Sequence, residues 1–181
     1  MASDRAWRAA LAEHDAVLAD ARSVIECLPA ERWLVPRAAN KWSPADEVMH
    51  IRLAYSFGVD AVASGAAMRL VVPPFVAWFA GHVLLLLVFC TQRFPRGAVA
   101  PPEVRPSPCD ALGLTPRDAS AQLAVIATHA AAALHTADRD RPSVRVDHTY
   151  FGALPPCTAL RLLSAHTRHH TAAIRVSRAR A

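Results

Sequence analysis

The sequence predicts an all-α protein that forms a single domain over residues 1–181. Alanine and leucine are abundant and only 7% of the residues are aromatic, a composition that favours helices over strands. Apolar residues recur at three- and four-residue steps in several long segments, which is typical of amphipathic helices. The chain has few glycines, and its fourteen prolines cluster between those segments, where they mark joints.

Two helices are predicted in the first third of the chain. The apolar spacing predicts the first over residues 3–28, ended by Pro29. A polar connection follows. Ser43 and Pro44 then predict the start of the second helix, with serine as N-cap and proline at the first helical position, and this helix should run to about residue 64.

An unusual insert occupies about residues 66–113. Residues 75–90 are apolar except for His82, but this run is shorter than the about 20 residues that span a bilayer. It predicts a buried or interfacial helix, with a membrane-associated helix at 73–92 and a true span as alternatives. Because the run is apolar all round, we expect an exposed patch that could serve a dimer interface. A proline-rich loop should follow, to Cys109.

The remaining sequence predicts two more helices. Thr115 is a candidate N-cap for a helix to about residue 138. Residues 148–156 read as a turn that leads into the last helix, which should run over about 156–176, with a frayed basic tail at 175–180.

The last helix carries the strongest chemical signal. His166 and His170 are four residues apart, which puts two imidazoles on one helix face within reach of one divalent metal. A third ligand must come from elsewhere, and His50 on the second helix is the candidate; alone it would read as an ordinary core histidine. Glu47, one turn earlier, is a candidate general base, a hydrogen-bond acceptor for a ligand, or a first-turn charge.

Three further residues are candidates for lining a pocket. His14 lies in the apolar stripe of the first helix, so it is either a core residue with a hydrogen-bond partner or a pocket residue. His169 is turned away from the axis that His166 and His170 share, so we expect it at the pocket edge. Tyr150 lies in the turn before the last helix.

The charge and the cysteines argue against a nucleic-acid-binding protein and against a secreted protein. The net charge is +5, but no basic stripe is interleaved with aromatic residues, so nucleic-acid binding is not expected. The four cysteines form no C-x-x-C pair, and the amphipathic, charged N-terminal segment is unlike a signal peptide, which predicts a cytoplasmic protein with reduced thiols. We expect Cys27 and Cys90 in the core, and Cys157 in the core or beside the metal.

Three motifs carry a family resemblance. They are W-S-P-A-x-E-V-x-H-I over residues 42–51, H-x-x-F-G-x-L over 148–154 and H-x-x-H-H over 166–170. Together they resemble the DinB-like superfamily of four-helix-bundle metalloproteins, which includes the YfiT-like metal-dependent hydrolases. The apolar insert ending in R-F-P-R-G resembles a subgroup of that family.

The resemblance implies an up-down-down-up bundle with one long crossover, often assembled as a homodimer. It also implies a divalent metal, zinc or nickel, held by a histidine triad that matches His50, His166 and His170. Some relatives are transferases that use bacillithiol, mycothiol or glutathione. Two positions depart from the family pattern: Ala173 stands where a glutamine is common, and Thr149 replaces a proline.

Two functions are compatible with these features. Three protein ligands leave a position open for water or a thiolate, so the leading hypothesis is a metal-dependent hydrolase or transferase that acts on a small organic substrate. A thiol-dependent S-transferase is the finer form of this hypothesis. The alternative is a non-catalytic bundle that dimerises or lies on a membrane surface and keeps the triad as a remnant.

Overall fold

The computed structural model describes residues 2–66, 73–92, 94, 99–107, 110, 111 and 113–179. The described chain is mostly helical, as predicted, with one small two-stranded sheet in addition. Its elements are α1 (Asp4–Glu26), α2 (Pro44–Ser64), α3 (Pro74–Phe79), α4 (Leu85–Thr91), α5 (Pro116–Asp140), β1 (Val146–His148), β2 (Gly152–Leu154) and α6 (Pro156–Ala179).

The four long helices α1, α2, α5 and α6 build the core. Both α1 and α2 pack against α5 and against α6, and α5 and α6 also contact each other. Ile25, Ile51 and Leu123 are fully buried in one apolar cluster, and Leu134 and Leu160 in another. This packing places α2 beside α6, which is the arrangement that a shared site between their histidines needs.

Two helix starts are fixed by capping boxes at Ser43 and Thr115, two residues that the sequence predicts as N-caps. The Ser43 hydroxyl accepts from the backbone N–H of Asp46, whose carboxylate accepts from the Ser43 N–H in return. Thr115 and Asp118 make the same reciprocal pair at the start of α5. Each box satisfies two backbone donors that a helix start otherwise leaves open.

The apolar run of the insert forms one continuous helix over residues 74–91, which we call the insert helix. Its middle, Ala80–Leu84, is a π-helical turn between α3 and α4. One side is buried at Ala80, Leu85 and Val88, whereas the other exposes large apolar side chains. Over the described residues, no helix has both the length and the hydropathy required to cross a bilayer.

A β-hairpin replaces the turn that was expected before the last helix. Strands β1 and β2 pair antiparallel, with His148 opposite Gly152. Gly152 has φ 71°, in the left-handed region that glycine adopts without strain. The insert helix packs closely on this hairpin, because a Cβ on Gly81 would lie 2.9 Å from the carbonyl oxygen of Phe151.

Two further expectations need correction. Cys27 and Cys90 are exposed, not core residues, since Cys27 caps the end of α1 and Cys90 lies on the outer side of the insert helix; Cys157 is buried. Helix α6 continues to Ala179 instead of fraying from residue 175, because this turn still packs on the bundle: Ser177 is buried, and Arg175 also forms an ion pair with Asp20 of α1.

Removing one capping hydroxyl should cost stability at either helix start. We expect Ser43→Ala and Thr115→Ala each to lower the free energy of unfolding by about 1 kcal/mol, because one backbone N–H loses its acceptor. Urea denaturation of both variants and the parent protein measures this. Exposed Ser64→Ala at the end of α2 is the control, and an equal loss in that variant would contradict a specific capping effect.

Candidate metal centre

Helix α2 brings Glu47 and His50 into the interior of the bundle. The capping box at Ser43 sets the start of the helix, so that the two side chains lie about one turn apart on one face. Both are buried, with 3% and 5% of their surface exposed. A buried carboxylate and a buried imidazole are each unfavourable unless they find polar partners, so their contacts define the site.

Helix α6 supplies His166 and His170, whose ring centroids are 4.4 Å apart. Nε2 of His166 lies 3.0 Å from Nε2 of His170 and 3.0 Å from Nε2 of His50. The candidate ligand atoms of the three residues all lie within 4.8 Å of one another. The structure therefore brings together the three histidines that the sequence analysis selected as metal ligands.

The outer ring nitrogens of two of these histidines are held by oxygen acceptors. His50 Nδ1 donates to the carbonyl of Val104 over 2.5 Å. His170 Nδ1 donates to Oε2 of Glu47 over 2.5 Å, and Arg37 donates to Oε1 of the same carboxylate. A carbonyl and a carboxylate only accept, so both Nδ1 atoms carry a proton. In a neutral ring this leaves the lone pair on Nε2, which faces His166.

This donor set fits a cation at its centre. Nε2 of His166 can direct at most one N–H, at either His50 or His170, and the other pair then sets two lone pairs 3.0 Å apart. A divalent ion accepts all three lone pairs and removes the conflict. Imidazole nitrogens that each lie about 2.0–2.1 Å from one ion are themselves separated by roughly 3 Å, so the spacing agrees with shared coordination.

Electrostatics keep His50 and His166 in the uncharged form that binds a metal. Burial lowers the pKa of His50 to about 4. Burial, followed by repulsion from His170, lowers the pKa of His166 well below its ordinary value. Burial raises the pKa of Glu47, but the hydrogen bonds from His170 and Arg37 outweigh it and leave that pKa below its ordinary value. At neutral pH His50 and His166 are uncharged and Glu47 is a carboxylate.

The histidine cluster opens into a cavity of about 800 Å³. Tyr150 and His169, both expected in the pocket, are among its lining residues. The Tyr150 hydroxyl donates to the carbonyl of Val99 over 3.0 Å, so it closes a wall. His169 is exposed at the edge of the cavity, with its ring centroid 5.1 Å from that of His170.

His14, the third expected pocket residue, lies in the core instead. Its side chain is buried, Nδ1 is 3.5 Å from Asp15 Oδ1, and the ring meets Tyr55 edge to face. The reason is its helix: α1 packs on α5 and α6, so its apolar stripe faces their core and not the cavity beside α2. The core alternative therefore describes His14.

Four residues of the site were not selected from the sequence. The ring centroid of Trp42 lies 4.7 Å from that of His50. The Phe94 ring lies 5.5 Å from the rings of both His166 and His169. Nothing in the sequence singled out Arg37 except its charge. His148 begins the H-x-x-F-G-x-L motif and could have been selected from it; both residues line the cavity.

Comparison with protein families agrees with this centre. The sequence matches the family model of the DinB superfamily over residues 13–174. The chain belongs to the DinB superfamily. The matched range includes all three clustered histidines together with Glu47. Comparisons with curated proteins and with solved structures gave no match.

The structure shows how this chain manages without one side chain that is common in the DinB superfamily. Ala173, which stands where glutamine is common in the family, lines the cavity and offers no side-chain hydrogen bond. His170 is nevertheless oriented, because Glu47 holds its Nδ1. The carboxylate of α2 thus supplies an acceptor that the C-terminal helix lacks at this position.

His148 should make the metal-free protein sensitive to acid. Its Nδ1 accepts from the Tyr150 backbone N–H over 3.2 Å, and burial lowers its pKa to about 4. The unfolded histidine titrates near about 6.5, so between these two values the unfolded state binds more protons and stability falls as pH falls. We expect His148→Gln to reduce this loss between about pH 6.5 and 4, as measured by urea denaturation in chelator.

The control for this experiment is His129→Gln, which removes an exposed imidazole from α5. A parent protein whose free energy of unfolding has the same pH slope as that of His148→Gln would contradict the assignment.

Proposed function

We propose that the protein is a metal-dependent hydrolase or transferase that acts on a small organic substrate. The observation that supports this best is the meeting of three Nε2 atoms from α2 and α6 beside a cavity of about 800 Å³. The cavity falls within the range of small-molecule sites. The proposed scaffold is an up-down-down-up four-helix bundle in which the two histidine-bearing helices lie side by side.

The proposed ion is zinc or nickel, held by His50, His166 and His170. A divalent ion with three protein ligands keeps a position open for water or a thiolate and lowers the pKa of that group towards about 7, which supplies a nucleophile at neutral pH. Membership in the DinB superfamily supports the metal. A low-molecular-weight thiol as second substrate is the finer proposal, and it rests on the resemblance to thiol-dependent relatives.

The residues around the histidines take defined parts in this proposal. Glu47 holds His170 and is itself held by Arg37, so both carboxylate oxygens are engaged and a general-base role is disfavoured. The Val104 carbonyl holds His50. Trp42 covers the rings of His50 and His170, with centroids 4.7 and 6.0 Å away, and shields this side of the centre from water.

Metal content tests the proposal directly. We expect about one zinc or nickel ion per chain in the purified protein, and less than a tenth of that in His170→Ala, because two imidazoles hold an ion far less tightly than three. Glu47→Gln should retain the ion but weaken affinity about 10- to 100-fold, because the ligand loses its charged acceptor. Elemental analysis and competition with a chromogenic chelator measure both effects.

Exposed His129→Ala is the matched control for loss of a histidine, and its metal content should equal that of the parent. A metal-free parent whose melting temperature does not respond to zinc, nickel or chelator would overturn the proposal. Turnover assays with water, glutathione, bacillithiol and mycothiol as nucleophiles then separate hydrolase from transferase.

A second candidate function rests on the outer side of the insert helix. Phe75, Phe79, Val83, Leu86 and Leu87 are exposed there, at spacings of three and four residues that put them on neighbouring strips of one helix face. Contiguous exposed apolar surface of this kind marks interaction sites. The candidate is a non-catalytic bundle that dimerises through this face or lies on a membrane surface, with the histidine cluster as a remnant.

A charge in this face tests the second candidate. Leu86 is 61% exposed, so Leu86→Glu should leave the fold intact but convert a dimer into a monomer in light scattering, or abolish flotation with anionic liposomes. Val125→Glu on α5, where the parent valine is 72% exposed, is the matched control and should behave like the parent. A monomeric parent that ignores liposomes would exclude this candidate.

A further inference from the structure

The cavity beside the histidines has two chemically different parts. One part surrounds the metal centre and carries the polar groups, including Arg37, Asn40 and Lys41 at its rim. The other part extends away from the histidines between α2 and α6. Its described lining residues are apolar, and they include Phe57, Gly58, Leu84, Leu154, Ala159 and Leu162.

The two helix walls run in the same direction from the histidines. On α2 the lining passes from His50 to Phe57, and on α6 it passes from His166 back to Ala159. Seven residues of helix correspond to about 10 Å on each wall. The two helices are close to each other along this length, since a Cβ built on Gly58 would lie 3.5 Å from Cδ1 of Leu163. We call this apolar part the channel.

The hairpin and the insert helix close the channel on its remaining sides. Leu84, in the π-helical turn of the insert helix, lines it together with Val146 and Leu154 of the two strands. Among the residues that the structure describes, two acidic ones line the cavity: Glu47 lies at the metal centre, and Asp147 is exposed, so it belongs to the outer rim. His148 of the hairpin also lines the cavity, but it interacts electrostatically with His166 and lies towards the histidines. A ligand that enters the channel therefore meets mainly carbon atoms over about 10 Å.

We propose that the substrate is an amphiphile whose unbranched apolar tail occupies the channel while its polar, reacting group lies at the three histidines. This rests on the proposed function, because the polar end of the cavity is the proposed metal centre. The apolar walls exclude a substrate that is polar throughout, since its groups would lose water there without gaining partners. The exposed side chain of Lys41 at the rim favours a head group that carries negative charge.

A chain-length series of n-alkyl carboxylates, from butanoate to decanoate, tests the channel by calorimetry. We expect the Kd to fall about three- to fourfold with each added methylene, the gain typical of burying one methylene group. The gain should stop after roughly eight carbons, when a tail fills the about 10 Å of the channel. Measurements are made on metal-loaded protein and again in chelator, since the tail contribution does not need the ion.

Two blocking variants and one control locate the binding site of the tail. Gly58→Leu on α2 and Leu84→Trp on the insert helix each add bulk at a residue that lines the channel, and should flatten the chain-length dependence beyond about four carbons while leaving butanoate binding and metal content unchanged. Gly58→Ala is the control, because its Cβ would make only ordinary contact with Leu163. It should keep at least half of the parent's gain per methylene.

The outcomes separate the two proposals. A Kd that does not depend on chain length in the parent protein, or a dependence equal in the parent and both blocking variants, overturns the channel. Chain-length dependence in a protein that binds no metal retains the channel and overturns the proposed metal-dependent function. Should Gly58→Leu fail to fold, as judged by circular dichroism, Leu84→Trp decides alone.

Discussion

Two contacts between imidazole nitrogens, each 3.0 Å long and both ending on His166, constrain this structure more than any other feature. The contact between His50 and His166 joins α2 to α6 across 116 residues of the chain, and the contact between His166 and His170 lies within α6. Neutral nitrogens at this separation repel unless a proton or a cation lies between them. The ring protons of His50 and His170 point outward to Val104 and Glu47, and His166 can direct its single proton into only one of the two contacts. An ion shared by the three histidines would remove this repulsion and so stabilise the packing of α2 against α6.

The charges around the cluster support the same view. Glu47 lies in the first turn of α2, where the helix dipole favours a negative charge, and Arg37 and His170 donate to its two oxygens. The carboxylate thus stays ionised although it is buried. An ionised acceptor on Nδ1 makes the opposite nitrogen of His170 a better ligand, which is the usual role of a carboxylate behind a metal-bound histidine.

Local sequence signals predicted the parts of this site that depend on local geometry. Ser43 and Thr115 were predictable as caps because an N-cap is defined by a few neighbouring residues. His166 and His170 were predictable as a pair because helical spacing alone brings their rings together. Their partnership with His50 was inferred by analogy with paired-histidine sites and from the family motifs.

Other parts could not be predicted, for different physical reasons. The acceptor for His50 is the carbonyl of Val104, and a backbone oxygen leaves no mark in a sequence. The partner of Glu47 is Arg37, whose position depends on the path of a non-helical connection. The strands of the hairpin have three residues each, too few for an alternating pattern to be recognised. Cys27 is exposed against the preference of its residue type for the interior, because it ends a helix.

The insert helix shows how a helix can be apolar all round without spanning a membrane. Its inner side has two apolar environments, since Ala80 and Val88 pack into the core and Leu84 lines the cavity. Its outer side exposes Phe75 and Leu86. Packing inside the protein therefore explains the apolar residues on the inner side but not those on the outer side. The π-helical turn adds a residue at Ala80–Leu84, which shifts the faces of α3 and α4 relative to each other. A hydropathy profile sums both sides into one peak, whereas the structure places one side in the protein interior and leaves the other exposed.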